Sequence, residues 1–367
     1  MQVKKLITLI AMAAVLTGCQ PSTAPAPGTA GTGATAEEAA EEVPEADYSK
    51  GIDSRGFVEG KETEKLAEPI DLSAISRKSI GAGVTDEQVD AALQDFLEEN
   101  RTFSANRSLA AAEGDTVEIE YEALCQGKGF EGSSTDGQGF QMVLGQQALG
   151  SEMDEGITGM HPGESKKITF TAKSPEEIAG KEAVYDVTLK GIYTAPLLTD
   201  ETAKRLVPGC SGAEDLKERI RSNLEHQDLM DRLQTWIYEH AALKEGAEEE
   251  LSDYISALED IFRSMDMSMY QAVKEAFPGS YASFEEYIGM DGEAYEKDLR
   301  ERSTKQAAYD LCLQELFVRL GLEITGRDKL DFIQEKGFTK EDRDYYGTYL
   351  MQMLLQEKVM ESIAGDI

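Results

Sequence analysis

The sequence predicts an α+β chain of several domains: an antiparallel β-sheet with one short helix, followed by an all-α region that runs to the C-terminus. Three observations carry this. Residues 113–193 alternate apolar and polar side chains with the period of two that marks half-buried strands. From Ala195 onward the apolar residues recur at the three- and four-residue spacing of helices. Ahead of both lie a short apolar leader and a stretch rich in Pro, Ala, Gly and Thr that cannot build a core.

The leader occupies residues 1–18. Lys4 and Lys5 precede the apolar run Leu6 to Leu16, which is too short to span a bilayer comfortably. Leu16-Thr17-Gly18-Cys19 follows. Small residues before a Cys at the end of such a run form the pattern of a bacterial lipoprotein signal. In that pattern Cys19 receives a lipid and the chain is cut before it. The alternative is an ordinary secretory leader with an incidental Cys. Residues 19–48 then form a flexible tether that turns acidic, reaching about 30 Å as a random coil.

Residues 49–112 read as a linker region with one amphipathic helix. Thr85-Asp86-Glu87-Gln88 is a capping-box pattern, followed by Val89, Ala92, Leu93, Phe96 and Leu97 on one helical face. Over residues 113–193, Val117, Ile119, Tyr121 and Ala123 alternate with Glu118, Glu120 and Glu122. Ile168, Phe170 and Ala172 alternate likewise, as do Tyr185, Val187 and Leu189. These are antiparallel strands joined by Gly-rich turns, with one short helix over Met153 to Met160. Over residues 194–367, Thr199, Ser211 and Ser283 suit helix N-caps. Leu216, Ile220 and Leu224 form one stripe; Ile255, Leu258, Phe262 and Met265 form another. Tyr346, Tyr349, Leu350, Met353, Leu354 and Met360 stripe a C-terminal helix.

Composition narrows the function. A chain of 367 residues has room for two or three domains, and a net charge of −34 repels nucleic acid. Cys125, Cys210 and Cys312 are far apart and show no Cys-x-x-Cys spacing, which suits buried thiols; one disulfide pair is the alternative. His161, His226 and His240 are too dispersed for a metal site, so neither a metal nor a cofactor is expected. Met265, Met267 and Met269, with Met351, Met353 and Met360, suit either core packing or promiscuous apolar contact.

Three stretches, GDTVEIEYEA, LGQQALGSEMDEGITGMHPGE and LLTDETAKRLVPGCSGAEDLKERIRSNLE, resemble trigger factor, the bacterial folding chaperone. The first two are similar to an FKBP-type peptidyl-prolyl isomerase domain, the third to the entry into the family's helical chaperone domain. The resemblance begins near Gly83 and implies an FKBP-type domain over 113–193 and a chaperone domain over 194–367. The family's ribosome-docking loop is not matched. Gly56-Phe57-Val58-Glu59-Gly60-Lys61-Glu62 has Val58 where that loop has Arg and Glu62 where it has Pro.

The resemblance also implies a site. Phe130, Phe140 and Tyr185 would wall a prolyl ring over Met153, with Leu149 beside them. Tyr121 and Glu131 would supply the polar edge, and the Gly150 N–H would meet a substrate carbonyl. Met153 stands where the family prefers Trp or Phe, Gly150 replaces an aliphatic residue, and Glu152 replaces a Gly. The loop at Ser174-Pro175-Glu176-Glu177 is short. Phe170 and Val187 read as core. The function implied is a lipid-anchored folding helper on the extracytoplasmic side of a bacterial membrane. It would isomerise X-Pro bonds and hold unfolded, proline-containing exported polypeptides, with no ribosome or nucleic-acid partner. The alternative is a non-enzymatic holdase with a degenerate FKBP-like module. A solute-binding lipoprotein fits poorly, because no two-lobed α/β pattern is present.

Overall fold

The computed structural model describes residues 43–81, 83–104, 106–172 and 178–367. The leader, Cys19 and most of the tether lie outside the described residues, as do Ser174-Pro175-Glu176-Glu177. The chain forms two compact units, one of Val84–Leu224 and one that joins the chain up to Gly83 to Glu225–Ile367.

Residues 43–81, which take in the end of the expected tether and the start of the expected 49–112 linker region, are packed into a core. They carry one helical turn, α1 (Thr63–Leu66), and a 3-10 turn at Leu72–Ala74 capped by the Asp71 side chain. Tyr48, Ile52, Val58, Leu66, Ile70 and Ile75 are buried in the core of the helical unit. The Ser49 hydroxyl donates to the Tyr346 carbonyl, and Glu68 N–H donates to the Ala242 carbonyl. The Gly56–Lys61 loop is part of the same seam. Val58 N–H donates to Gln314 Oε1 at 3.2 Å, and Phe57 meets Phe317 edge-on. Gly56 lies so close to the Met351–Gln352 backbone that a Cβ there would collide with it. A buried valine is what that seam requires at position 58.

The second unit opens with α2 (Asp86–Glu99), whose capping box is formed by Thr85 and Gln88. Val89, Leu93 and Leu97 are buried along it. Then come β1 (Thr102–Phe103), β2 (Thr116–Cys125), β3 (Phe140–Val143), α3 (Ser151–Ile157), β4 (Ser165–Thr171) and β5 (Glu182–Thr194). All pairings are antiparallel, in the order β1-β5-β2-β3, with β4 also on β5. The period of two in β2 is realised: Val117, Ile119, Tyr121, Ala123 and Cys125 are buried, and the intervening Glu side chains face out. Enclosing a side chain such as Ile119 or Leu189 contributes about 1.5–3 kcal/mol. α3 reaches this face because Gly156 has no side chain; a Cβ there would occupy the space of Ile168. After the sheet, α4 (Asp200–Leu206) is capped by Thr199, and α5 (Ala213–His240) follows. Leu93 and Leu97 pack with Ala203, Cys210 and Leu216 in a small separate core.

The remaining helices are α6 (Ala247–Glu250), α7 (Ser252–Ala276), α8 (Phe284–Ile288), α9 (Gly292–Arg319), α10 (Gly326–Glu335), α11 (Lys340–Tyr346) and α12 (Tyr349–Asp366). The C-terminal stripe is split: Tyr346 ends α11, and the chain breaks at Gly347, whose φ is +52°. Met360 is core, and Met265 and Met353 pack against the same core. Met267 instead lines an open cleft of about 290 Å³ with Phe284, Ile288 and Tyr295. Cys125, Cys210 and Cys312 are buried free thiols. Among the described residues no helix is long and apolar enough to cross a membrane.

Candidate active site

Register places the aromatic residues. Ala123 pairs with Tyr185 and Tyr121 with Val187, so Tyr121 and Tyr185 project from one face of the sheet on adjacent strands. Ile119 pairs with Phe140, which brings Phe140 to the same face from β3. Ring centroids are 5.4 Å apart for Tyr121 and Tyr185, and 6.3 Å for Tyr121 and Phe140. Phe130, from the turn after β2, meets Tyr185 edge-on at 6.3 Å. Such tilted and edge-on pairs suit the ring quadrupoles. The sequence-predicted set Tyr121, Phe130, Phe140 and Tyr185 is therefore brought together.

The accessible surface of this cluster is unequal. Tyr121 and Tyr185 are nearly covered, whereas Phe130, Phe140 and Leu149 are half-buried and present apolar surface. Met153 belongs to the same apolar cluster but has no exposed surface, so the expected floor is closed over here. Burial raises both tyrosine pKa values, and for Tyr185 the neighbouring Tyr121 and Cys125 add to the shift. Both phenols are neutral donors at physiological pH. The Tyr121 hydroxyl donates to the Gly132 carbonyl at 3.2 Å, and Glu131 is exposed on the same turn.

One expected role is corrected. The Gly150 N–H is already engaged: it donates to the Gln147 carbonyl at 3.0 Å. Gly150 has φ +104°, a backbone that few other residues adopt, and its carbonyl accepts from Met153 and Asp154. The tight entry into α3 takes up the group that was assigned to the substrate.

One residue escaped the sequence reading. Asp154, buried on α3, accepts from Gly145 and Gln147 N–H at 2.9 Å each and so fixes the loop that carries Leu149. An acid inside an otherwise apolar helix face was the available signal. Phe170, read as core, packs half-buried against the sheet core and stacks on Tyr185 with centroids 5.0 Å apart and planes 13° apart. Among the described residues, no three His, Cys, Asp or Glu side chains converge as metal ligands do. An apolar aromatic face beside neutral hydroxyls suits chemistry without a nucleophile.

Residues 108–190 match the family described as FKBP-type peptidyl-prolyl cis-trans isomerase. The chain is 27% identical to the trigger factor of Syntrophotalea carbinolica over 335 residues, which covers 87% of this chain and 72% of that protein. Against the trigger factor of Coxiella burnetii it is 37% identical over 150 residues, covering 39% of this chain and 33% of the relative. Against that of Lysinibacillus sphaericus it is 30% identical over 200 residues, covering 50% of this chain and 46% of the relative. In these last two matches the chain spans less than half of the relative's length. A solved structure reported under "Promiscuous Substrate Recognition in Folding and Assembly Activities of the Trigger Factor Chaperone" aligns at 17% identity and a TM-score of 0.39. That alignment covers 89% of this chain and 73% of the other.

Proposed function

We propose that this chain, which carries an FKBP-type domain and is homologous to trigger factor over most of its length, isomerises X-Pro bonds and shelters unfolded polypeptides. It acts on exported proteins from the extracytoplasmic face of a bacterial membrane, held there by a lipid on Cys19. The observation that carries the enzymatic part is the cluster of Tyr121, Phe130, Phe140 and Tyr185 on one face of an FKBP-type sheet.

The chemistry is a rotation. Amide resonance sets a barrier of about 18–20 kcal/mol, and unaided X-Pro isomerisation takes tens to hundreds of seconds. The twisted amide has lost resonance and is less polar than either planar form. An apolar surface made by Phe130, Phe140 and Leu149 favours it over the planar ground state. Tyr121, Tyr185 and the Asp154-held loop keep those walls in place. Glu131, on the exposed turn, stands at the polar rim.

The second reading, a holdase with a degenerate module, is favoured by the occupied Gly150 N–H and the covered Met153. A proline-limited refolding assay with the full chain separates the two. Acceleration at substoichiometric concentration supports the enzyme; suppression of aggregation without acceleration supports the holdase. For the anchor, Cys19→Ser is expected to release the protein from the membrane fraction. Unchanged mass and unchanged membrane association in that variant would remove the lipid from the account.

A further inference from the structure

In the helical unit a buried acid is wired to the seam that residues 48–58 lay over the helices. Asp310 sits on α9 between Gln306 and Gln314, each one turn away on the same face. Gln306 Nε2 donates to Asp310 Oδ1 at 2.9 Å. Gln314 exchanges hydrogen bonds with the seam, accepting from Val58 N–H and donating to the Gly56 carbonyl. Asp310 Oδ2 accepts from the Tyr254 hydroxyl of α7, whose oxygen accepts from Gln352 Nε2 of α12. The seam reaches that end of the network too. Gly51 lies against the Tyr254 ring, where a Cβ would come within 3.0 Å of a ring carbon. A cavity of about 10 Å³, the size of one water, is lined by Tyr48 and Ile52 of the seam and by Tyr254, Tyr349 and Gln352 of the helices. The seam itself is irregular, with turns and a single bridge between Ile52 and Val58. Its hydrogen bonds to the α11–α12 turn run through Ser49 and the Ile52 carbonyl, to Tyr346 and Thr348.

This network is complete for a neutral acid and incomplete for a charged one. Gln306 Oε1 has no partner among the described residues. Rotating that amide, which leaves its outline unchanged, sets Oε1 opposite a protonated Oδ1 and satisfies both. A carboxylate has no such completion. The titratable groups around it are phenols: Tyr254 from α7, Tyr309 beside it on α9, and Tyr349 from α12, with Tyr48 of the seam behind Tyr349. Burial raises all of these, so they stay neutral. Lys50, at the cavity, pairs with Asp260 on the surface, and among the described residues no Lys, Arg or His pairs with Asp310. A charge left there gains only by reaching water. α7, α9 and α12 are long helices locked in the core, so the seam is the layer that can leave. We propose that residues 48–58 form a latch governed by Asp310, closed while the carboxyl is protonated and released when it ionises. Release uncovers the apolar faces of α7 and α12 beneath Tyr48 and Ile52. Burial pushes the Asp310 carboxyl up to about 7, so the latch is held in mildly acidic surroundings and loosens as pH rises through neutrality.

The test is hydrogen–deuterium exchange of the full chain from pH 5 to 8, corrected for the intrinsic pH dependence of amide exchange. In the unmodified chain, protection of the hydrogen-bonded amides of Ile52, Gly56 and Val58 should fall by about tenfold or more across that range. The amides of α7, α9 and α12 should keep theirs. Asp310→Asn, which cannot ionise, should hold the protection of the seam constant. Seam protection that ignores pH in the unmodified chain would overturn the proposal. So would a loss shared equally by the seam and the three helices, which would show that ionisation acts on the whole unit. An undiminished pH dependence in Asp310→Asn would assign the effect to another group and overturn it as well. Should that variant not fold, the comparison of seam with helices in the unmodified chain decides by itself.

Discussion

The two units handle polar groups in opposite ways. In the sheet unit the candidate site is built from rings, and the carboxylates of β2 point away from it into solvent. In the helical unit polar side chains sit at the centre of the apolar core. The Tyr254 hydroxyl donates to Asp310 Oδ2 at 2.7 Å, Gln306 Nε2 donates to Asp310 Oδ1 at 2.9 Å, and Gln352 Nε2 donates to the Tyr254 oxygen at 3.0 Å. Tyr309 and Tyr349 border the same carboxyl. The Tyr309 hydroxyl, Gln306 Oε1, Gln352 Oε1 and Ser303 Oγ have no hydrogen-bond partner among the described residues. Each such group opposes folding by about 1–3 kcal/mol. The lesson is a division of labour. The sheet unit presents apolar surface with buried Asp154 behind it, whose Oδ1 has no partner among the described residues, while the helical unit gathers several such groups in its core, which makes its packing responsive to solution conditions.

The largest expected effect lies in that buried network. Burial pushes the Asp310 carboxyl up to about 7 from its ordinary 3.8, although the Tyr254 and Gln306 hydrogen bonds favour its charge. Between those two values the folded chain keeps a proton that the unfolded chain has lost. Stability from this group is therefore complete below about pH 4 and falls as pH rises through about 7, by an amount of order 4 kcal/mol over the whole window. Urea midpoints of the helical unit, compared between the unmodified chain and Asp310→Asn from pH 4 to 8, isolate the effect, because the variant lacks the titration. Parallel curves would dissolve the contrast between the units.

Next comes the seam made by residues 43–58. Tyr48 is 3% exposed and meets the rings of Tyr345, Tyr346 and Tyr349. Tyr48→Ala should destabilise the helical unit by about 3–5 kcal/mol, read as a lower urea midpoint, and leave the sheet unit's transition where it was. Smaller effects sharpen the account of the sheet unit. Gly150→Ala forces an alanine into a positive φ and should cost about 1–3 kcal/mol, with a larger loss in isomerisation than in stability because the loop bearing Leu149 shifts. Thr85→Ala removes the acceptor for Gln88 N–H and should cost about 1 kcal/mol without altering isomerisation. A melting curve and a rate measured on the same sample check both variants.

What the sequence made legible follows the same contrast. β2 and α2 were readable because their signals are local: strict alternation in one, a capping box with an apolar face in the other. Residues 43–81 were not, because Tyr48, Ile52, Val58 and Ile75 are buried one at a time along an irregular path with no period to detect. β1, two residues long, has none either. The break at Gly347 was hidden because Tyr346 and Tyr349 are spaced as if on one helix. At the site, the resemblance brought forward the aromatic set, and pairing register explains why the members meet. It could not supply the fate of one N–H: the Gly150 hydrogen bond depends on a four-residue turn, Gln147 to Gly150.

The central claim is that the ring cluster on the FKBP-type sheet accelerates rotation about X-Pro bonds. The direct measurement is the rate of a proline-limited refolding reaction with the full chain and with Phe140→Ala/Tyr185→Ala, each first shown to be folded by circular dichroism. The account predicts acceleration by the unmodified chain, a fall in the double variant towards the uncatalysed rate, and undiminished suppression of client aggregation in both. Equal acceleration by the two proteins would place the activity elsewhere and contradict the account.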